Sequence, residues 1–469
     1  MTDKLKEILD HIDVGLEASM EQLFTFLRFA SVATDPAYNA DCRKAAQWLV
    51  NYFTAMGLAT KLYPTTGQPV VFATYVPPPK KHGQTPHILF YGHYDVQPAD
   101  PLELWTSPPF EPRIGKSAAG RPCIVARGSG DNKGQLMTFT EACRTWLKAH
   151  GSLPFRLTVL IEGDEEGDSS HLDKFVAANK PLLKADVAVI CDTGMWDDLT
   201  PAIVTSVRGI AADEVTITGP KLDLHSGYYG GAALNPLRLL SQILGGMFDA
   251  KGRITIPGFY KGVKNPSAKQ RARMAKIPPR KSYMKAAGIK TLAGEVGFSE
   301  LEQNWLRPTA EINGIWGGYM GPGAKTVIPS KAHAKLTFRL VTGQNPKNIQ
   351  KFFRSFVKAQ LPDGFKASFR GNAETAAASN VSDDSPWIAA AARALQAEWK
   401  KPAILKGAGG SIPVVESFKQ HLGMDSVMAG FVRPDDGPHS PNEKYDVESY
   451  QRGMRSYARF IAEIEKENP

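Results

Sequence analysis

The chain has 469 residues, 42% of them apolar and 22% charged, with a formal net charge of +9. This length exceeds one ordinary core, so two or three domains are expected, with the composition of a soluble globular protein. The basic balance is local: residues 251–290 hold twelve Lys or Arg and no Asp or Glu, which leaves the rest of the chain at −3 and argues against an obligate nucleic-acid binder.

In chain order, the start (Met1-Thr2-Asp3-Lys4-Leu5-Lys6-Glu7) lacks the apolar core of a signal peptide. Leu5, Ile8, Leu9, Ile12, Leu16, Met20, Leu23, Phe24 and Leu27 then recur at helical spacing. A second helix is predicted over 41–55, with Trp48, Leu49, Tyr52 and Phe53 inward and Gly57 as its stop. Short β-rich runs follow at 70–76, 87–91, 155–161 and 185–191, with helical stretches at 133–149 and 170–179. Strands alternating with helices predict a layered α/β domain with a mostly parallel sheet. From 207 to 380 the pattern changes. Residues 211–218 and 332–341 alternate like half-exposed strands, and 235–247 and 345–359 read as helices. This predicts a smaller α+β domain inserted into the first. The catalytic domain is thus assigned to 1–206 and 381–469, and the insert to 207–380. No run approaches the length of a membrane span. Four widely spaced cysteines (Cys42, Cys123, Cys143, Cys191) read as reduced thiols of a cytoplasmic protein.

The chemistry-bearing residues stand beside the predicted strands. They are His93-Tyr94-Asp95, Gly130-Asp131-Asn132-Lys133-Gly134, Glu162-Gly163-Asp164-Glu165-Glu166, Cys191-Asp192 and, far downstream, Pro438-His439-Ser440. His93, Glu165, Glu166 and Asp192 each follow a predicted strand end, and Asp131 precedes a predicted helix. Open α/β sheets bind ligands at those ends. Two histidines and several carboxylates without a cysteine pair suit a hydrolytic site with two divalent metals.

At these residues the chain resembles a known family. The motifs are His93-Tyr94-Asp95-Val96-Gln97-Pro98, Arg127-Gly128-Ser129-Gly130-Asp131-Asn132-Lys133-Gly134, the Glu165-Glu166 pair, Asp192 and Pro438-His439-Ser440-Pro441-Asn442-Glu443. In this order they resemble the dinuclear metallopeptidases that include carnosinase-type dipeptidases, acetylornithine deacetylase and succinyl-diaminopimelate desuccinylase. Asp223-Leu224-His225-Ser226-Gly227, Gly323-Ala324-Lys325-Thr326-Val327-Ile328-Pro329 and Gly409-Gly410-Ser411-Ile412-Pro413 look most like the carnosinase-type branch.

The resemblance implies two divalent metals per chain, zinc first, with manganese or cobalt as alternatives. It makes Asp131 the bridging ligand, with His93 and Asp192 on one metal and Glu166 and His439 on the other. It makes Glu165 the general base and Asp95 the residue that orients His93, and it implies a cis peptide after Asp131. On the substrate side it implies Arg339 for a C-terminal carboxylate, with Thr326 and Ser411 nearby. His225 would come from the partner subunit to stabilise the tetrahedral intermediate, so a homodimer through the insert is expected. The function implied is hydrolysis of dipeptides or short peptide-like substrates with a free C-terminal carboxylate. The alternative is an amidohydrolase acting on N-acyl or N-carbamoyl amino acids at the same kind of site.

Overall fold

A computed structural model describes residues 3–79, 85–167, 170–277, 288–371, 375–410 and 412–467. They fall into two compact units. One comprises Met1–Thr205, Val381–Lys406 and Pro413–Pro469; the other comprises Ser206–Asn380 and Gly407–Ile412.

The first unit is built on a mixed sheet. Its order runs Ala59–Tyr63, Val70–Tyr75, Arg156–Glu162, His87–His93, Val187–Ile190, Asp425–Met428 and Ala202–Val207. The four strands from Arg156–Glu162 to Asp425–Met428 are parallel. They read as unbroken apolar runs because both faces are covered: Ile88, Leu89, Phe90 and Tyr91 are all fully buried, as are Val187, Ala188, Val189 and Ile190. The outer pairings are antiparallel. Only residues 64–69 separate the first two strands, too few for the crossover that a parallel pair requires. The α/β class holds, and "mostly parallel" describes the sheet's centre.

Helix Lys133–His150 packs on this centre, with Phe139 stacked on Phe90 at 4.2 Å and Tyr457 edge-on at 5.2 Å. Burying each such ring stabilises the fold by about 2–3 kcal/mol. The final helix, Val447–Glu467, lies against both Lys133–His150 and Pro386–Trp399. The N-terminal apolar periodicity forms two helices, Asp3–Val14 and Leu16–Leu27, which meet at Gly15. Helix Asn39–Ala55 ends just before Gly57, whose φ of 86° suits glycine and reverses the chain. All four cysteines are buried free thiols.

The second unit has an antiparallel sheet in the order Thr309–Gly317, Lys331–Leu340, Gly209–Thr218, Lys366–Gly371. Its period-two burial sends Val215, Ile217, Leu336 and Phe338 into a core shared with helices Pro236–Gly245 and Pro346–Lys358. Asn235 and Asn345 cap those helices through their side chains, with proline at the first turn. In the basic stretch, helix Ala268–Met274 opens with a capping box of Ser267 and Gln270. Arg253 pairs with Glu295 at 3.0 Å, and Arg271 with Glu302 at 3.2 Å. Part of the local basicity is thus met by acids that follow the stretch in sequence. Arg280, Lys281 and Lys285 lie outside the described residues. Among the described residues no helix is long and apolar enough to cross a membrane.

Candidate metal centre

The carboxyl ends of the parallel strands bring the acidic motifs together. His93 is the last residue of its strand and pairs in register with Glu162, so the loop carrying Glu165 and Glu166 starts beside it. Asp192 follows Val187–Ile190 by two residues, and Asp131 precedes Asn132, the N-cap of helix Lys133–His150. The Asp131–Asn132 peptide is cis. His439 sits on the loop before Lys444–Asp446 in a left-handed conformation, φ 63°. A non-glycine residue there costs roughly 1–3 kcal/mol, a strain typical of sites whose surroundings over-determine them. Asn442 anchors that loop. Its Oδ1 accepts from Thr106 N at 2.8 Å, and its Nδ2 donates to Leu104 O at 2.8 Å.

Asp131 is the hub. His93 Nε2 lies 3.2 Å from its Oδ1, and His439 Nε2 lies 3.0 Å from its Oδ2. The two oxygens of one carboxylate therefore face two different histidines. On one side His93 Nε2 is also 3.6 Å from Asp192 Oδ2; on the other, His439 Nε2 is 3.2 Å from Glu166 Oε1. Two clusters sharing Asp131 result. Asp95, fully buried, approaches His93 Nδ1 at 3.3 Å through Oδ1. The same carboxylate accepts the backbone N–H groups of Glu165 at 3.2 Å and Glu166 at 2.9 Å. With its backbone carbonyl also 3.1 Å from His93 Nδ1, Asp95 thus fixes both the imidazole and the glutamate loop, leaving His93 Nε2 to face the acids.

The electrostatics are those of a cation site. Asp95, Asp131, Glu165, Glu166 and Asp192 crowd two imidazoles. Burial works to raise the Asp131 carboxyl, but its contacts to His439 and His93 outweigh this and hold it well below the usual range. The bond to Asp131, then that to Glu166, holds His439 up to about 10. Burial raises the Glu165 carboxyl well above its ordinary value. Glu166 Oε1 is buried and faces the His439 ring at 3.2 Å. Ligand atoms of His93, Asp131 and Glu166, and of His93, Glu165 and Asp192, come within 4.8 Å of one another. The donor set therefore fits divalent cations, for which imidazole nitrogen and carboxylate oxygen are ordinary ligands. Distance alone also admits Glu165 as a ligand; its role as base comes from the family resemblance.

The remaining candidates belong to the second unit. His225 and Thr326 are brought together: strand Leu224–His225 pairs with Val327–Ile328, and Ser226 N donates to Thr326 O at 3.0 Å. His225 is exposed, and its Nδ1 accepts from Gly227 N at 3.0 Å. The neutral ring consequently carries its proton on Nε2, an outward donor. Arg339 lies near the end of strand Lys331–Leu340, between Thr309 and Ile210. Ser411 lies outside the described residues.

Three neighbours of the site had no role assigned from the sequence. Gln97 Nε2 donates to Glu166 Oε2 at 2.8 Å. Tyr91 donates a short hydrogen bond to Glu162, whose carboxyl burial pushes up to about 8. Gln97 stands inside the His93–Pro98 motif, so its position was a signal. Nothing in the sequence pairs Tyr91 with Glu162, which meet across two strands.

The family described as peptidase family M20/M25/M40 matches residues 89–463. A Cys-Gly metallodipeptidase of Candida albicans is 30% identical over 97% of this chain and 96% of its own length. A Beta-Ala-His dipeptidase of Rattus norvegicus is 29% identical over 85% of this chain and 80% of its own. An M20 family metallo-carboxypeptidase structure from Sulfolobus solfataricus superposes with a TM-score of 0.82 at 27% identity, covering 96% of this chain and 99% of that one.

Proposed function

The chain belongs to the peptidase family M20/M25/M40, and on that premise we propose that it hydrolyses dipeptides or short peptide-like substrates ending in a free carboxylate. The observation that carries this reading is the Asp131 carboxylate, with one oxygen on His93 and the other on His439. Asp131 would be shared by two dications and lower the repulsion between them. His93 and Asp192 would complete one position, Glu166 and His439 the other.

When bound, two divalent ions, zinc first with manganese or cobalt as alternatives, supply Lewis-acid polarisation and acidify the attacking water. Glu165 takes the water's proton and returns it to the leaving amine. Asp95 holds His93 and the glutamate loop in register. Arg339 meets the substrate carboxylate by a charge-assisted contact. His225, donating from Nε2, stabilises the developing oxyanion in the partner subunit's site, with Thr326 and Ser411 as further polar contacts.

The test is a substrate panel on metal-reconstituted enzyme: free dipeptides, the same dipeptides amidated at the C-terminus, and N-acyl and N-carbamoyl amino acids. Free dipeptides should be cleaved and their amides poorly so. Arg339→Ala should shrink that preference. Cleavage confined to N-acyl or N-carbamoyl amino acids would replace the dipeptidase reading with the amidohydrolase one. Equal sensitivity to amidation in both enzymes would remove Arg339 from its role.

A further inference from the structure

Glu443 closes the motif that contains His439, yet the chemistry above gives it no task. It is fully buried, as is Arg127 apart from a trace. Its carboxylate accepts four hydrogen bonds. Oε2 takes Arg127 Nη1 at 2.7 Å and Gly128 N at 2.9 Å. Oε1 takes Gly130 N at 2.8 Å and Asp131 N at 3.0 Å. Its backbone carbonyl also accepts from Ala126 N at 3.2 Å. One side chain therefore gathers the turn 127–131 and ends on the backbone of the residue that faces both histidines. It stands four residues after His439, so it joins two stretches more than 300 residues apart. Arg127 extends the link to the His93 motif by donating to Pro98 O at 3.2 Å. Asp95 does the equivalent work between His93 and the Glu165–Glu166 loop.

We infer that Glu443 is a positioning residue for the metal centre: its carboxylate sets the turn that presents Asp131 as the shared ligand. The inference rests on the metallopeptidase reading. Three of its four bonds come from backbone N–H groups, which need an acceptor at both oxygens. Glutamine offers one acceptor and one donor, so two of the four contacts become donor against donor. The loss should appear at the metals, since residues that orient ligands typically change metal affinity or activity by about 10–100-fold.

The experiment measures metal affinity by chelator competition and thermal unfolding of the metal-free chain, alongside kcat and KM. It compares wild type with Glu443→Gln and Arg127→Met. Glu443→Gln should bind metal about 10–100-fold more weakly, with excess metal restoring kcat and KM nearly unchanged. Arg127→Met removes the buried ion pair but keeps three N–H donors on Glu443. It should lower the unfolding temperature while losing less metal affinity. Wild-type affinity in folded Glu443→Gln would overturn the assignment, as would equal loss in both variants at equal destabilisation. If Glu443→Gln does not fold, Glu443→Asp takes its place under the same criteria, because it keeps the charge and shortens the reach. A wild type that binds no divalent ion defeats the metallopeptidase reading itself, so the two failures are distinguishable.

Discussion

Glu165 and Glu166 are adjacent in sequence but are proposed to do different work. Glu166 faces His439 and is steadied by Gln97. Glu165 lies in the same loop, its backbone held by Asp95. If Glu165 is the base, Glu165→Gln should lower turnover by on the order of 10²–10⁴ while both metals stay bound. Glu166→Gln should instead lose metal. Metal analysis beside single-turnover rates checks both, and near-normal turnover in Glu165→Gln would eliminate it as the base. At this scale the sequence was informative about identity and poor about orientation. His93, Asp131, Glu166, Asp192 and His439 stood in recognisable motifs, and the structure gathers them. That the two oxygens of Asp131 divide between two histidines depends on backbone direction at 131 and 439, which no spacing encodes. Glu443 was visible in its motif, but its four donors come from a turn more than 300 residues upstream.

Among the elements, the start of helix Lys133–His150 bears directly on the site, because Asp131 hangs from it. Gly134 in its first turn has no room for a side chain. A Cβ there would stand 2.0 Å from Ser129 O and 2.8 Å from Tyr445 Cδ1. The clash with Ser129 is against backbone, so relief requires moving the turn that carries Asp131. Gly134→Ala should therefore cost about 1–3 kcal/mol by overpacking and also weaken metal binding. Calorimetry and chelator competition on one preparation test this, and unchanged values in both would show that the turn can yield. The central strands and this helix were legible because apolar runs and 3.6-residue periodicity are local signals. The antiparallel outer strands were less so, since pairing direction follows from connection length and partner choice. In the second unit the period-two alternation of Gly209–Thr218 and Lys331–Leu340 was as readable as its proline-started helices. The pairing of Arg253 and Arg271 with Glu295 and Glu302 was not, because it is made by folding.

At the scale of the whole molecule, the proposed function would have His225 of one subunit act in the site of its twin. All five proposed metal ligands belong to one compact unit, and His225, Thr326 and Arg339 belong to the other. The expectation can be separated from activity of a single chain by complementation. His225→Ala keeps a complete metal centre, and Glu165→Ala keeps a complete His225. Each homodimer should be nearly inactive. Unfolded and reassembled together, about half of the dimers should be mixed, each with one intact site, so activity should recover to roughly a quarter of wild type. Confirmed mixed dimers without recovered activity would place His225 outside a shared site. Whether two ions cooperate around Asp131 is decided by titrating metal into chelated enzyme while counting bound ions and measuring dipeptide hydrolysis. Hydrolysis should cease after chelation and recover with zinc or manganese, completely only as a second ion per chain binds. Full activity with one ion or fewer per chain would contradict that cooperation.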